Sequence, residues 1–245
     1  LRSGGDAVSA AAAPLAADLE AALRRLKLRR LREIAPEVLQ AAKTQRWAPE
    51  EILRALVEAE ISARDEANQE RRLRAAGFPV EKTLEEFALT QSSVPRATYD
   101  YLASLEWIRA SENLCLVGLA GTGKSHLLVG LGHAAVEAGY RVRYLTAAEL
   151  VETLYRGLAD NSVGKQIAAL LRCELVLIDE VGFAPLDETG MQLLFRFVAA
   201  AYERRSLGIA SHWPFEDWPL PARADDGRLD ARPPAAPRHR GGHRG

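Results

Sequence analysis

Cysteine is nearly missing from this chain, with Cys115 and Cys173 the only two in 245 residues and both inside apolar stretches. That scarcity argues against a disulfide scaffold or a thiolate metal site and reads as two buried thiols. No apolar run approaches the roughly 18–20 residues of a membrane span. The Ala-rich start lacks a basic leader followed by an apolar core, so a cytoplasmic protein is expected. Aromatic residues make up 7% of the chain, and Trp47, Trp107, Trp213 and Trp218 are scattered. They suit a core better than a base-stacking platform. Lysine is scarce too, at five against 27 arginines, yet the net charge is only −1. That balance argues against a uniformly cationic nucleic-acid binder. The 48% hydrophobic and 27% charged residues that remain are those of an ordinary globular chain, long enough for one α/β core and a small accessory domain.

Two textures follow one another. Leu15, Leu19, Leu23 and Leu26, then Ile52, Leu53, Leu56, Val57 and Ile61, recur at helical spacing, which predicts amphipathic helices between about Leu15 and Ala76. Pro49, with Glu50 and Glu51 behind it, suits the first turn of the second. Gly77, Pro79 and the polar Gln91, Ser92 and Ser93 then punctuate a connector. Beyond it, Asn113–Val117, Arg141–Thr146, Glu174–Ile178 and Leu207–Ser211 are short apolar or β-branched runs separated by helix-length segments. Such alternation predicts a parallel sheet with helices on both faces.

Gly118-Leu119-Ala120-Gly121-Thr122-Gly123-Lys124-Ser125 follows the first of these runs and opens a helical one, the context that the G-x-x-x-x-G-K-[ST] pattern requires. Glycines let successive backbone N–H groups face one anion, and the helix starting near Gly123 adds its positive end. Lys124 brings a compact charge to the β and γ phosphates of a nucleotide, Ser125 offers a hydroxyl to magnesium, and the adjoining His126 belongs to the same cofactor site. The chain's own residue frequencies give about 0.002 chance matches over its length. The second element is Leu175-Val176-Leu177-Ile178-Asp179-Glu180, an apolar strand ending in two carboxylates. By itself such a pair is more often a solvated strand end. Downstream of a phosphate loop, Asp179 is positioned to hold Mg2+ through its water shell and Glu180 to activate a water against the γ phosphate. A small-molecule kinase is disfavoured, because no second substrate pocket is apparent.

In this order, GLAGTGKS, RVRYLTAAEL, LVLIDEVGFAPLD, LLFRFVAAAYERRS and SHWPFEDW, with ERRLRAAGFP and KTLEEF ahead of them, the chain resembles the IstB-like transposition helper ATPases. These are relatives of DnaC-type helicase loaders in the AAA+ class, and the likeness runs from about Leu26 to Trp218. It implies a P-loop NTPase of the AAA+ (ASCE) type with ATP and Mg2+ as cofactors. It also implies assembly as a homo-oligomer on double-stranded DNA and service to a partner transposase that performs the strand transfer. A helicase loader would share every nucleotide-site residue, and an inactive DNA-binding remnant is the alternative from another class. The expected domains are a disordered start (1–14), a helical DNA-binding and assembly domain (15–78), a linker (79–98), the ATPase core (99–218) and a disordered tail (219–245).

The resemblance implies further positions. Arg204 or Arg205 is placed to complete a neighbouring subunit's ATP site, although dipole-favouring arginines at a solvated helix end are an equal alternative. Ser211 stands where the family senses the γ phosphate, followed by His212 in place of the usual Asn. The run holding Arg24, Arg25, Lys27, Arg29, Arg30 and Arg32, which on a helix would spread around its circumference, becomes a candidate for DNA phosphate contacts rather than a merely solvated face. Residues 219–245 contain no Ile, Val or Phe, and Arg, Ala, Pro and Gly fill 20 of the 27 positions. They cannot supply the family's fifth strand and arginine-bearing lid helix, and they read as GC-rich DNA in a shifted frame.

Overall fold

The structure, a computed structural model, describes residues 12–182 and 186–213. The chain divides into two compact units, Leu1–Glu70 and Arg71–Gly245. The first is built from α1 (Ala17–Arg25), α2 (Arg29–Gln45) and most of α3 (Pro49–Ala76).

The basic run from Arg24 to Arg32 does not form a single helix. Lys27 adopts a left-handed conformation with φ 57°, and the N–H groups of Lys27 and Leu28 donate back to the carbonyls of Arg24 and Leu23, each at 3.0 Å. This is a Schellman cap, in which one residue of positive φ turns the chain and satisfies the last helical carbonyls. Glycine usually holds that position, because a residue with a Cβ costs about 1–2 kcal/mol there. The six cations therefore occupy two helix ends and the turn between them.

No side chain of the turn caps α2, and α3 supplies the cap from a distance. The buried Glu60 carboxylate accepts the Leu31 N–H and the Arg64 guanidinium, both at 2.9 Å. Arg64 also donates to the Lys27 carbonyl at 3.2 Å, so α3 fixes the turn as well as the helix. Desolvation pushes the Glu60 carboxyl upward, but hydrogen bonds from the Leu31 N–H, Arg64 and the Arg30 N–H outweigh it and hold the group below its ordinary value.

The second unit carries the predicted α/β architecture. Strands β1 (Leu114–Val117), β2 (Val142–Thr146), β3 (Leu175–Val181) and β4 (Ser206–Ser211) pair in parallel in the order β1-β4-β3-β2. Helix α6 (Lys124–Glu137) covers one face with α4 (Arg96–Ala103) and α5 (Glu106–Arg109), packing Leu127, Leu128, Leu131 and Trp107 against Leu175 and Leu177. Helices α7 (Ala147–Ala159), α8 (Val163–Leu170) and α9 (Glu188–Ala201) cover the other, where Leu150, Leu154 and Phe197 meet Val176 and Ile178. Because β3 is buried on both faces, it reads as a continuous apolar run rather than an alternating one.

Two local features pin the layers together. A Cβ on Gly132 would lie 2.6 Å from the Phe78 ring and 2.7 Å from Leu177, so α6 runs close against both. Residues 79–98, expected as a linker, lie on the same core through Leu84, Phe87 and Val94. Both cysteines are free, and burial pushes the Cys115 thiol up to about 11. No described helix is long and apolar enough to cross a membrane. The expected tail, with its missing strand and lid, lies outside the described residues.

Replacing Glu60 by Gln is expected to lower the unfolding free energy by about 1–2 kcal/mol, the usual cost of losing a helix cap, as read by urea unfolding. Because the folded carboxyl titrates below its ordinary 4.5, its contribution is complete above that pH and fades as pH falls through the folded value. The variant should lose this part of the acid sensitivity.

Candidate functional site

The carboxyl ends of all four parallel strands share one edge of the sheet, and the chemistry-bearing residues gather there. The loop from Gly118 leaves β1, with the Gly118 N–H held by the Ser211 carbonyl of β4 at 3.2 Å. Gly121 and Gly123 take φ of 79° and 85°, values that side chains disfavour, and Gly123 is the residue from which α6 starts. Thr122 braces the turn by donating to the Leu119 carbonyl at 2.9 Å. Lys124 reaches back into the loop, its ammonium 2.7 Å from the carbonyls of both Gly118 and Leu119. Burial lowers its pKa and the Asp179 charge opposes that fall. Ser125 is exposed on the first turn of α6.

Asp179 and Glu180 are adjacent in sequence and opposite in environment. Asp179 is buried at 3% exposure, with Oδ2 accepting the Tyr144 hydroxyl at 2.8 Å and Oδ1 the Glu180 N–H at 2.7 Å. Glu180 is exposed, with φ 58°. The pairing of β3 with β4 explains the contrast: Ile178 faces Ile209 and Val181 faces Ser211, so β3 carries one extra residue. A bulge of this kind bends the strand and re-aims a side chain. Here it keeps one carboxylate in the sheet and turns the other outward, at a backbone cost of about 1–3 kcal/mol.

Residues 21–227 match the family described as IstB-like ATP binding protein. This chain belongs to that family. A Pseudomonas aeruginosa protein named for ATP binding in insertion sequence IS21 is 33% identical over 202 residues, covering 82% of this chain and 76% of its own. A Mycobacterium tuberculosis protein named for ATP binding in an insertion sequence is 34% identical, covering 71% and 68% respectively. Among solved structures, AMPPCP-bound DnaA from Aquifex aeolicus aligns with a TM-score of 0.47 and 27% identity over 54% of this chain and 42% of that one. The DnaC helicase loader aligns with a TM-score of 0.41 and 15% identity over 59% and 80%.

In this IstB-like protein the phosphate loop and the acidic pair are brought together, while the other sequence candidates fall at varied distances from them. Ser211 sits at the same edge but is fully buried, and its hydroxyl serves the backbone: the carbonyls of Val181 and Trp213, each at 2.9 Å, and the Trp213 N–H at 3.1 Å. His212 follows it, half-buried. Arg204 and Arg205 precede β4 and so stand at the opposite end of the sheet, about 16 Å away at 3.3 Å per strand residue. Arg205 donates to the Leu171 carbonyl at 2.8 Å and the Arg204 carbonyl at 2.7 Å. Arg204 is exposed, with a long 3.4 Å contact to the Ala200 carbonyl.

Two side chains at the site escaped the sequence reading. Tyr144 lies inside an apolar strand, where nothing marks its hydroxyl as a partner of Asp179. Phe87 packs on the loop: a Cβ on Gly123 would approach its ring to 3.2 Å. That ring stacks with Tyr99 at 5.9 Å and meets His126 edge-on at 5.5 Å. His126 is further tied by its Nε2 to the Thr83 carbonyl at 3.1 Å, so it anchors the segment ahead of β1 beside the loop.

The donor set suits ATP with magnesium. Among the described residues no cluster of three His, Cys, Asp or Glu could hold a metal unaided. One buried carboxylate with one hydroxyl is what Mg2+ needs when phosphates and waters complete its shell. Replacing Gly123 by Ala should weaken binding of a fluorescent ATP analogue at least 10-fold with the helical circular dichroism retained, because the added Cβ meets both a positive φ and the Phe87 ring. Binding at wild-type strength would contradict the assignment of the loop.

Proposed function

We propose that this protein hydrolyses ATP and, assembled as a homo-oligomer on double-stranded DNA, assists the partner transposase of an insertion sequence. The observation that carries the hydrolytic step is the bulge that turns Glu180 out of β3 beside the buried Asp179. An exposed carboxylate at the phosphate-binding edge can take the proton of an attacking water, while its neighbour stays fixed in the sheet. Lys124 and the N–H groups at the start of α6 hold the β and γ phosphates. Asp179 and Ser125 would hold magnesium, which when bound neutralises charge on those phosphates.

Assembly and transposition rest on the insertion-sequence relatives and on the surface of the helical unit. Arg25 and Lys27 are exposed and form no ion pair among the described residues. Arg24 shares its charge with Glu20 at 3.0 Å, and Arg29 and Arg30 share Glu33 at 2.9 and 3.8 Å. Exposed pairs of this kind are worth little and open readily toward a phosphate. Arg204 can complete a nucleotide site only in a neighbouring subunit, since its own loop is at the far end of the strands.

Two measurements test these readings. Glu180→Gln should retain ATP-analogue binding and lose at least 100-fold in hydrolysis, whereas Lys124→Ala should lose both; equal near-zero rates in wild type and variants would favour an inactive remnant. Changing Arg25, Lys27, Arg29 and Arg30 to Gln should weaken duplex DNA binding and reduce the slope of log affinity against log salt by roughly one unit per lost phosphate contact. Unchanged affinity and slope would remove the helical unit from the DNA interface.

A further inference from the structure

Asp179 is a buried carboxylate that, among the described residues, meets two hydrogen-bond donors, one on each oxygen. The Glu180 N–H on Oδ1 comes with the bulge itself. The Tyr144 hydroxyl on Oδ2 comes from the neighbouring strand. Tyr144 lies on β2 opposite Leu177, two residues before Asp179 in the register, so only a long, rigid side chain with a terminal donor reaches from there to the carboxylate. Its ring is 7% exposed and meets Phe78 edge-on at 6.2 Å. Phe78 in turn stacks on His133 of α6 at 4.4 Å and is the ring against which Gly132 is packed. The Tyr144 ring is therefore held against Phe78, which α6 holds in turn. One further tie holds the same strand: the Arg143 guanidinium donates to the Ala75 carbonyl, in the last turn of α3, at 2.9 Å.

We propose that Tyr144 is a positioning residue for the metal-binding carboxylate. Its hydroxyl fixes the rotation of Asp179 so that the lone pairs left on the two oxygens face the phosphate-binding edge. This rests on the reading of Asp179 as the magnesium ligand. The physical requirement is general. A carboxylate with one bond from its own backbone can still rotate about its Cβ–Cγ axis, and a second bond on the other oxygen removes that freedom. Donors behind a metal ligand of this kind typically change metal affinity or activity 10–100-fold when removed.

Tyr144→Phe keeps the ring and its contact with Phe78 and deletes only the hydroxyl. The test is titration of the full chain with a fluorescent ATP analogue, with and without Mg2+. The expected result is an affinity without Mg2+ equal to wild type, which also reports that the chain is folded, and a Mg2+-dependent gain in affinity reduced about 10-fold. Asp179→Asn should lose that gain, and Tyr144→Phe added to Asp179→Asn should cost nothing further, because a residue acting through Asp179 is silent once the carboxylate is gone. A Mg2+ response unchanged in Tyr144→Phe, or an additive loss in the double variant, would overturn the proposal while leaving the nucleotide site intact. Failure of the wild type to respond to Mg2+ would instead overturn the magnesium reading of Asp179, and the role of Tyr144 with it.

Discussion

A carboxylate enclosed at the end of a strand that is covered on both faces is costly unless donors surround it. The α/β unit is arranged around that requirement at Asp179. The Glu180 N–H can reach Oδ1 because β3 bulges there, and the bulge in turn places Glu180 in a left-handed conformation with its side chain in solvent. The Tyr144 hydroxyl can reach Oδ2 because β2 is the parallel neighbour of β3 in one register, with Thr146 opposite Asp179. Lys124, whose own burial lowers its pKa, feels the opposing charge of Asp179. The contrast between two adjacent acids, one buried and one exposed, thus follows from how one of them is kept in the sheet.

The helical unit meets a similar demand with a similar device. Glu60 is buried and negative, and it is stabilised by the unsatisfied N–H groups at the start of α2 together with Arg64. The arrangement leaves the turn at Lys27 exposed and cationic while its backbone is held from α3.

The segment between the helices and the sheet has a larger structural part than its polar composition suggests. Leu84, Phe87 and Val94 are spaced too irregularly to read as helix or strand, yet each packs on the sheet's helical face. His126 holds the same segment through the Thr83 carbonyl, at the foot of the phosphate loop. A residue in the first turn of α6 therefore also anchors the chain that leads into β1.

By itself the sequence determined whatever is encoded within a few neighbouring positions: four apolar runs that become strands, the Gly-rich loop that needs positive φ at Gly121 and Gly123, the acidic pair, and the helical periodicity between about Leu15 and Ala76. Each rests on local sterics or on burial of one face, and both leave a spacing that can be read. Only the tertiary structure decided which of two adjacent carboxylates is buried, since the bulge depends on how β3 pairs with β4. It alone joined Tyr144 to Asp179 and Glu60 to Leu31, partners 35 and 29 residues apart. It also broke the basic run at Lys27, where no glycine or proline marks a stop and contacts from α3 hold a conformation that local propensity disfavours.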